Sequence, residues 1–466
     1  MPPVQYGYSE RVLDGALREG DDETEANLPF GLDGQGSQWV DLDGEGLSGV
    51  LTEQAGAWFY KRNLGDGRLS AMEPIDVAPN VRRGAHLAAI EGSGAPRLLV
   101  RDAWGAGVFE RDDVTGAWST FAPFTSWPKI DWSDPHLRSL DLDGDGEADV
   151  MIVRDNVVRW HKSLGREGYA GEQRWTFERD ERKGPRLVHG DKREAIFVAD
   201  MSGDGLMDLV RVRYNSVEYW PNLGYGRFGA KVTLSNVSEI DRKDTFDPGR
   251  IRMADVDGTG PTDLIYLGAD SVRLYANHSG NRLANVEKLP VFPAVHELSH
   301  VAVFDFRGRG TACLVWFSGA PNDHARRLRY VDLMGGVKPW LMTSITNGSG
   351  GETRYRYAPS TQFALADRLA GKPWKTRLPF PVWVVDRVEV RDAITGHRFV
   401  TKRAYHHGFY DRDEREFRGF GMVEAWDAEQ FDATSETPLF SEVPTNGVGE
   451  VYAPPVYTVP PRPSPE

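Results

Sequence analysis

Carboxylates at the first, third, fifth and ninth positions of a short glycine-containing loop can surround a hard cation. Asp141-Leu-Asp143-Gly-Asp145-Gly146, closed by Asp149, is written in that form. Calcium takes about six to eight oxygen ligands in a flexible cage, and glycine permits the sharp turn that brings alternate side chains together. Two further loops, Asp200-Met-Ser202-Gly-Asp204-Gly205 with Asp208 and Asp255-Val-Asp257-Gly-Thr259-Gly260 with Asp263, put a hydroxyl in place of one carboxylate. Structural calcium is therefore the expected cofactor, held by Asp141, Asp143, Asp145, Asp149, Asp200, Ser202, Asp204, Asp208, Asp255, Asp257, Thr259 and Asp263.

Three more copies depart from the ligand pattern. Asp41-Leu-Asp43-Gly-Glu45-Gly46 has Gly49 at the closing position, so it binds weakly or only holds a turn. Asp305-Phe-Arg307-Gly-Arg309-Gly310 carries arginines and Cys313 at ligand positions, which predicts a metal-free loop with the arginines paired to Asp305. Ala89-Ile-Glu91-Gly-Ser93-Gly94 keeps only the glycine spacing. An EF-hand is a poor reading, because Ile152 stands at the twelfth position after Asp141, where that motif needs glutamate.

The elements that must position these loops follow from their phasing. The copies start at 41, 89, 141, 200, 255 and 305, separated by 48, 52, 59, 55 and 50 residues. A second glycine recurs downstream at Gly65, Gly165 and Gly224, with Ser279 in its place in the fifth unit. Aromatic residues recur ahead of it at Tyr60, Trp160, Tyr219, Trp220 and Tyr275. Within one unit, Ala148–Arg154 reads as a strand, Asp155-Asn156 as a two-residue turn and Val157–His161 as the return strand. Fifty residues accommodate about four short strands, and circular repetition of such sheets protects their edges. The fold class expected is all-β: an approximately six-bladed β-propeller of FG-GAP/VCBS-like aspartate-glycine repeats over 30–335, followed by a smaller β-rich domain. Isolated hairpin turns account for one such loop but not for six in register, and an open solenoid fits aromatic-rich hairpins less well than a closed ring.

Composition narrows the function. A formal charge of −14 disfavours binding to phosphate backbones, so nucleic acid is not an expected partner. Cys313 is the only cysteine, which excludes an internal disulfide and any all-cysteine metal cluster. The start, Met1-Pro-Pro-Val-Gln-Tyr6, lacks the form of a signal peptide, and no stretch approaches the ~20 apolar residues of a membrane span, so direct membrane insertion is not expected.

The aspartate repeat stops after Leu333-Met-Gly-Gly336, giving an acidic segment at 1–29, the propeller at 30–335, a β-rich domain at 336–435 and a proline-rich tail at 436–466. In the third of these, Glu352–Tyr357, Val382–Val390 and Phe399–Tyr405 read as strands and Thr361–Gly371 as a short helix. His406, His407, Asp411, Asp413 and Glu414 form its richest titratable cluster, yet adjacent histidines on a strand face opposite sides and cannot share an ion without a bulge. No G-x-S-x-G, G-x-x-x-x-G-K or H-E-x-x-H motif is present. No catalytic residue is assigned, and a non-enzymatic protein is expected.

Tyr355-Arg-Tyr-Ala-Pro-Ser360, Trp374-Lys-Thr-Arg-Leu-Pro-Phe-Pro-Val382, His406-His-Gly-Phe-Tyr-Asp411 and Glu414-Arg-Glu-Phe-Arg-Gly-Phe-Gly421 together resemble the B component of insecticidal Tc toxin complexes, related to SpvB-type and RHS-repeat proteins. The resemblance implies a propeller that docks on a pentameric, channel-forming A component. It further implies gating of a shell, built with a C component, that encloses a toxic polypeptide, in a complex that acts outside the cell. Family B components are much longer, so the sequence is expected to be a fragment, a truncated gene product or a pared-down relative. The alternative reading is a calcium-loop propeller that serves as an adhesin or receptor-binding module.

Overall fold

The computed structural model describes residues 3–430 apart from 30, 33–35, 76–84, 89–96, 103–104, 113–115, 133, 135, 155–156, 177–179, 186–192, 290–291, 412–413 and 415. The weak repeat copy at 89–94, the Asp155-Asn156 turn, Asp413 and the tail at 436–466 lie outside the described residues.

Six four-stranded antiparallel sheets follow one another along the chain, and each is called a blade here. The third blade shows the local logic. Leu137–Leu140, Asp149–Arg154, Val157–His161 and Gln173–Thr176 pair in sequence order. Its second strand is buried from Asp149 through Val153, with only Arg154 exposed, because a sheet covered on both faces needs apolar side chains on both. The calcium-type loop joins the first strand to the second, and its fourth and sixth residues are glycines. In the five described loops these glycines have φ between 66° and 107°, a region that side-chain-bearing residues avoid.

The blades contact one another in a circle. Apolar clusters join the first blade to the second through Leu51, Trp58 and Leu98, and the third to the fourth through Trp160, Leu209 and Trp220. Others join the fourth to the fifth through Val210, Tyr219 and Tyr266, and the fifth to the sixth through Leu274, Leu314 and Trp316. The second and third meet through Ser126 Oγ, which donates to the Tyr169 carbonyl at 2.6 Å beside stacked Trp127 and Trp132. The sixth and first close the circle through Val50, Leu69, Phe306, Val315 and Tyr330. This is the contact order that a propeller requires.

The N-terminal segment takes part in both halves of the molecule. Leu17–Glu19 pairs with Leu328–Asp332 and supplies the outer strand of the sixth blade, whose other strands lie about 300 residues later. Gln5–Tyr8 pairs instead with Met342–Thr346, the next strand in a separate six-stranded sheet. That sheet continues through Gly351–Pro359, Trp383–Asp392, His397–Asp411 and Glu416–Gln430. The expected strands at 352–357, 382–390 and 399–405 and the helix near 361–371 are present, the helix as Ser360–Leu369 with Phe363 buried against the sheet.

Candidate metal centres and the loop face

Each loop is first of all a hydrogen-bonded turn. The Asp141 carboxylate accepts from the backbone N–H groups of Gly144, Asp145 and Gly146 at 2.7–3.1 Å. Asp255 does the same for Gly258, Thr259 and Gly260, and Asp200 for Gly203 and Gly205. The ninth-position carboxylates have a different task. Asp149 accepts from the N–H of Leu142 at 3.1 Å and of Ser163 at 2.7 Å, tying the loop to the far end of the following hairpin. Asp208 bonds Met201 and Asn222 identically, and Asp263 bonds Val256 and Asn277. These three carboxyls are buried, and burial pushes Asp149 and Asp263 up to about 7 and Asp208 to about 6 against the hydrogen bonds they accept.

Ligand oxygens of Asp141, Asp143 and Asp149 lie within 4.8 Å of one another, as do those of Asp255, Asp257 and Asp263. Asp200, Asp204 and Asp208 do not converge this closely. The donor sets suit a hard cation, but side-chain cations already lie against them. Lys162 Nζ contacts Asp143 and lies 2.8 Å from Asp145 Oδ2. Burial alone would lower this ammonium, but the two carboxylates hold it above its ordinary range. In the fifth blade Arg11 Nε lies 3.2 Å from Asp257. In the first, Arg62 and Arg111 both contact Asp43. A cation in the third or fifth loop would have to share these carboxylates with Lys162 or Arg11.

The sixth loop corrects an expectation. Asp305 accepts from backbone N–H groups of Arg309 and Gly310, not from the arginine side chains. Arg307 pairs with Asp332, and both arginines reach Asp66 in the first blade. The reason is reach: the turn draws Asp305 inward to cap its own loop, while the longer arginines extend across the seam. The second-glycine turn at Asn63-Leu-Gly65 supplies the other side of that seam. Asn63 Nδ2 donates to the Phe306 carbonyl at 2.9 Å, as Asn222 Nδ2 does to Leu142 and Asn277 Nδ2 to Met201. In each case an asparagine reaches the second residue of the preceding blade's loop. The recurring glycines of these turns, with Ser279 in the fifth blade, stand out in the sequence, and the asparagines two positions before them, at a fixed distance from the loop, were legible there too.

The second sheet sits on the loops of the fifth, sixth and first blades. Lys338 Nζ donates to Gly258 O at 2.8 Å, Thr361 Oγ1 donates to Gly308 O, and Trp383 Nε1 donates to Arg309 O at 2.6 Å. Glu45 pairs with Arg368 and Arg377. Within this sheet His406 Nδ1 lies 2.6 Å from Asp367, which also accepts from Trp374 Nε1. His407 has φ 58°, and the register shift of this strand pair lies further on, between Phe409 and Tyr410; His407 Nδ1 accepts from the Lys375 N–H and does not join His406. The titratable cluster is thus divided between separate packing contacts.

Residues 289–441 match the insecticide toxin TcdB middle/N-terminal region, and residues 141–211 match an FG-GAP-like repeat. Among solved structures, a Photorhabdus luminescens Tc holotoxin pore is 30% identical with a TM-score of 0.80, covering 92% of this chain and 20% of that one. The chain is built like a Tc toxin B component. A TcdB2–TccC3 complex without its hypervariable C-terminal region is 28% identical with a TM-score of 0.65, again over 92% of this TcB-like chain and 20% of the other. The match thus takes in ring and second sheet together, while spanning about a fifth of the length of the solved chains. No curated protein matches the sequence. Among the described residues no helix is long and apolar enough to cross a membrane.

Proposed function

We propose that the chain acts as a non-enzymatic, extracellular toxin-complex subunit whose ring is a β-propeller that docks on a channel-forming A component and gates passage of a toxic polypeptide held with a C component. The observation that carries this reading is the 92% coverage at 30% identity by a chain of a Tc holotoxin pore, across both modules at once. A free-standing adhesin propeller has no need of the sheet seated on its loops. The division of His406, His407 and Asp367 among structural contacts supports a role in binding and passage over bond chemistry.

The test is negative-stain imaging of the purified chain mixed with a purified A-component pentamer. Rings seated on the channel mouth are expected. Free rings beside bare pentamers would overturn the docking reading and favour the adhesin alternative.

A further inference from the structure

The cations in the loops obey a positional rule. In the five blades whose loops are described, one residue stands across from the ninth loop position, at the far end of the return strand. Strand register identifies it as Arg62 in the first blade, Lys162 in the third, Pro221 in the fourth, Ala276 in the fifth and Asp332 in the sixth. The third loop position in the same blades is Asp43, Asp143, Ser202, Asp257 and Arg307. The two change together. Aspartate faces a basic residue in the first and third blades, serine faces proline in the fourth, and in the sixth both signs are reversed. Only the fifth blade sets aspartate against a neutral residue, and there Arg11 arrives from the N-terminal segment to contact Asp257 and Glu287.

We propose that Lys162 is the resident cation of the third loop, a tethered ammonium that takes the place of calcium between Asp143 and Asp145, and that in the first, third and sixth blades the third loop position and the residue across the hairpin form a built-in charge pair. A metal-binding loop has no reason to reverse both charges, since calcium cannot use Arg307. A charge pair does, because its Coulombic attraction is indifferent to which side carries which sign. The third loop nevertheless retains a latent metal site. The Asp143 side chain is only 2% exposed, and its Oδ1 has no hydrogen-bond partner among the described residues. Removing the ammonium leaves that carboxylate to find another cation.

Two measurements test this on the full chain. The first is calcium stoichiometry by equilibrium dialysis for the wild type, Asp143→Asn and Lys162→Met. Asp143→Asn is expected to bind as many ions as the wild type, and Lys162→Met one more. Loss of an ion in Asp143→Asn, or no gain in a folded Lys162→Met, overturns the proposal. The second is thermal melting in chelator of Asp143→Arg, Lys162→Asp and the double variant, which copies the sixth blade. Each single change is expected to lower Tm by about 3 °C or more, and the double to recover at least half of the larger loss. A double variant no more stable than the worse single overturns the charge-pair rule, and Asp143→Asn still decides the metal question if Lys162→Met does not fold.

Discussion

The seam between the third and fourth blades and the seam between the sixth and first use the same stitch but not the same reinforcement. Both have an asparagine reaching the second carbonyl of the neighbouring loop. The closing seam adds Arg307 and Arg309 on Asp66, the Leu17–Glu19 strand, and buried Lys61, whose Nζ donates to the carbonyls of Glu23 and Ala26 at 2.7 and 2.6 Å. Chain entropy does not explain the surplus. The closing asparagine bond spans 243 residues against 80 for the internal one, a difference worth only about 1 kcal/mol of loop closure. The surplus instead answers an edge problem: without Leu17–Glu19 the sixth blade would present Leu328–Asp332 as an open edge strand. The N-terminal segment must be held for the ring to be closed, and Lys61 is a buried anchor for it beside the contacts of Arg327 and Leu328.

Lys61→Met should therefore have the largest effect. It removes two hydrogen bonds from a fully buried ammonium and leaves two carbonyls without a donor, an expected loss of about 3 kcal/mol by urea unfolding. Hydrogen exchange should quicken at Leu328–Asp332 and not at the third-to-fourth seam. A loss under about 1 kcal/mol would show that the closing seam does not depend on this anchor.

Acid should weaken the same seam from the other side. Glu389 is buried in the second sheet; burial alone would raise its carboxyl, but bonds from Arg398 and Arg391 hold it down at about 2. Because the folded value lies below the ordinary 4.5, its contribution is complete above pH 4.5 and declines as the pH falls toward 2. The full contribution is about 2 kcal/mol after allowance for partial solvent screening. That sheet rests on the loops of the fifth, sixth and first blades, so acid is expected to quicken exchange at Gly310 before Gly224. Glu389→Gln should flatten the pH dependence, and an unchanged acid profile in that variant would remove Glu389 from the account.

Much of this arrangement was readable in the sequence, and what was not has a physical reason. The loops, the hairpins and the helix near 361–371 follow from local pattern, since aspartate-glycine turns and alternating apolar residues act over a few positions. Lys162 and Arg62 read as ordinary strand-end residues because their partners are set by register across a hairpin. Arg11 reaches Asp257 across 246 residues of sequence, beyond any local rule. The arginines of the sixth loop were noticed and given the wrong partner, because the seam that draws them to Asp66 exists only once the ring has closed.

The asparagine stitch allows the two seams to be compared directly. Asn63 Nδ2 donates to both Ser48 O and Phe306 O, whereas Asn222 Nδ2 has the single 3.3 Å bond to Leu142 O. Asn63→Ala is expected to lose about 2 kcal/mol and Asn222→Ala about 1. Equal losses in denaturant unfolding would mean that the closing seam gains nothing from its better geometry.

Tyr60→Phe should give the smallest change and bears on why the first loop differs at its ninth position. Gly49 stands where the other loops carry a buried aspartate, and the Tyr60 hydroxyl takes over that role, accepting from Leu42 N–H at 3.3 Å and donating to Val40 O at 3.1 Å. A Cβ at Gly49 would lie 2.6 Å from that hydroxyl, so the glycine and the tyrosine are one solution to one packing problem. Losing the hydroxyl leaves one donor and one acceptor unmet behind an otherwise intact ring, an expected loss of about 1 kcal/mol. Since Leu42 belongs to the first blade, exchange should quicken there and leave Leu142, held by Asp149 instead, unchanged. Equal quickening at both loops would mean that the blades open together and that the two seams are not separately held.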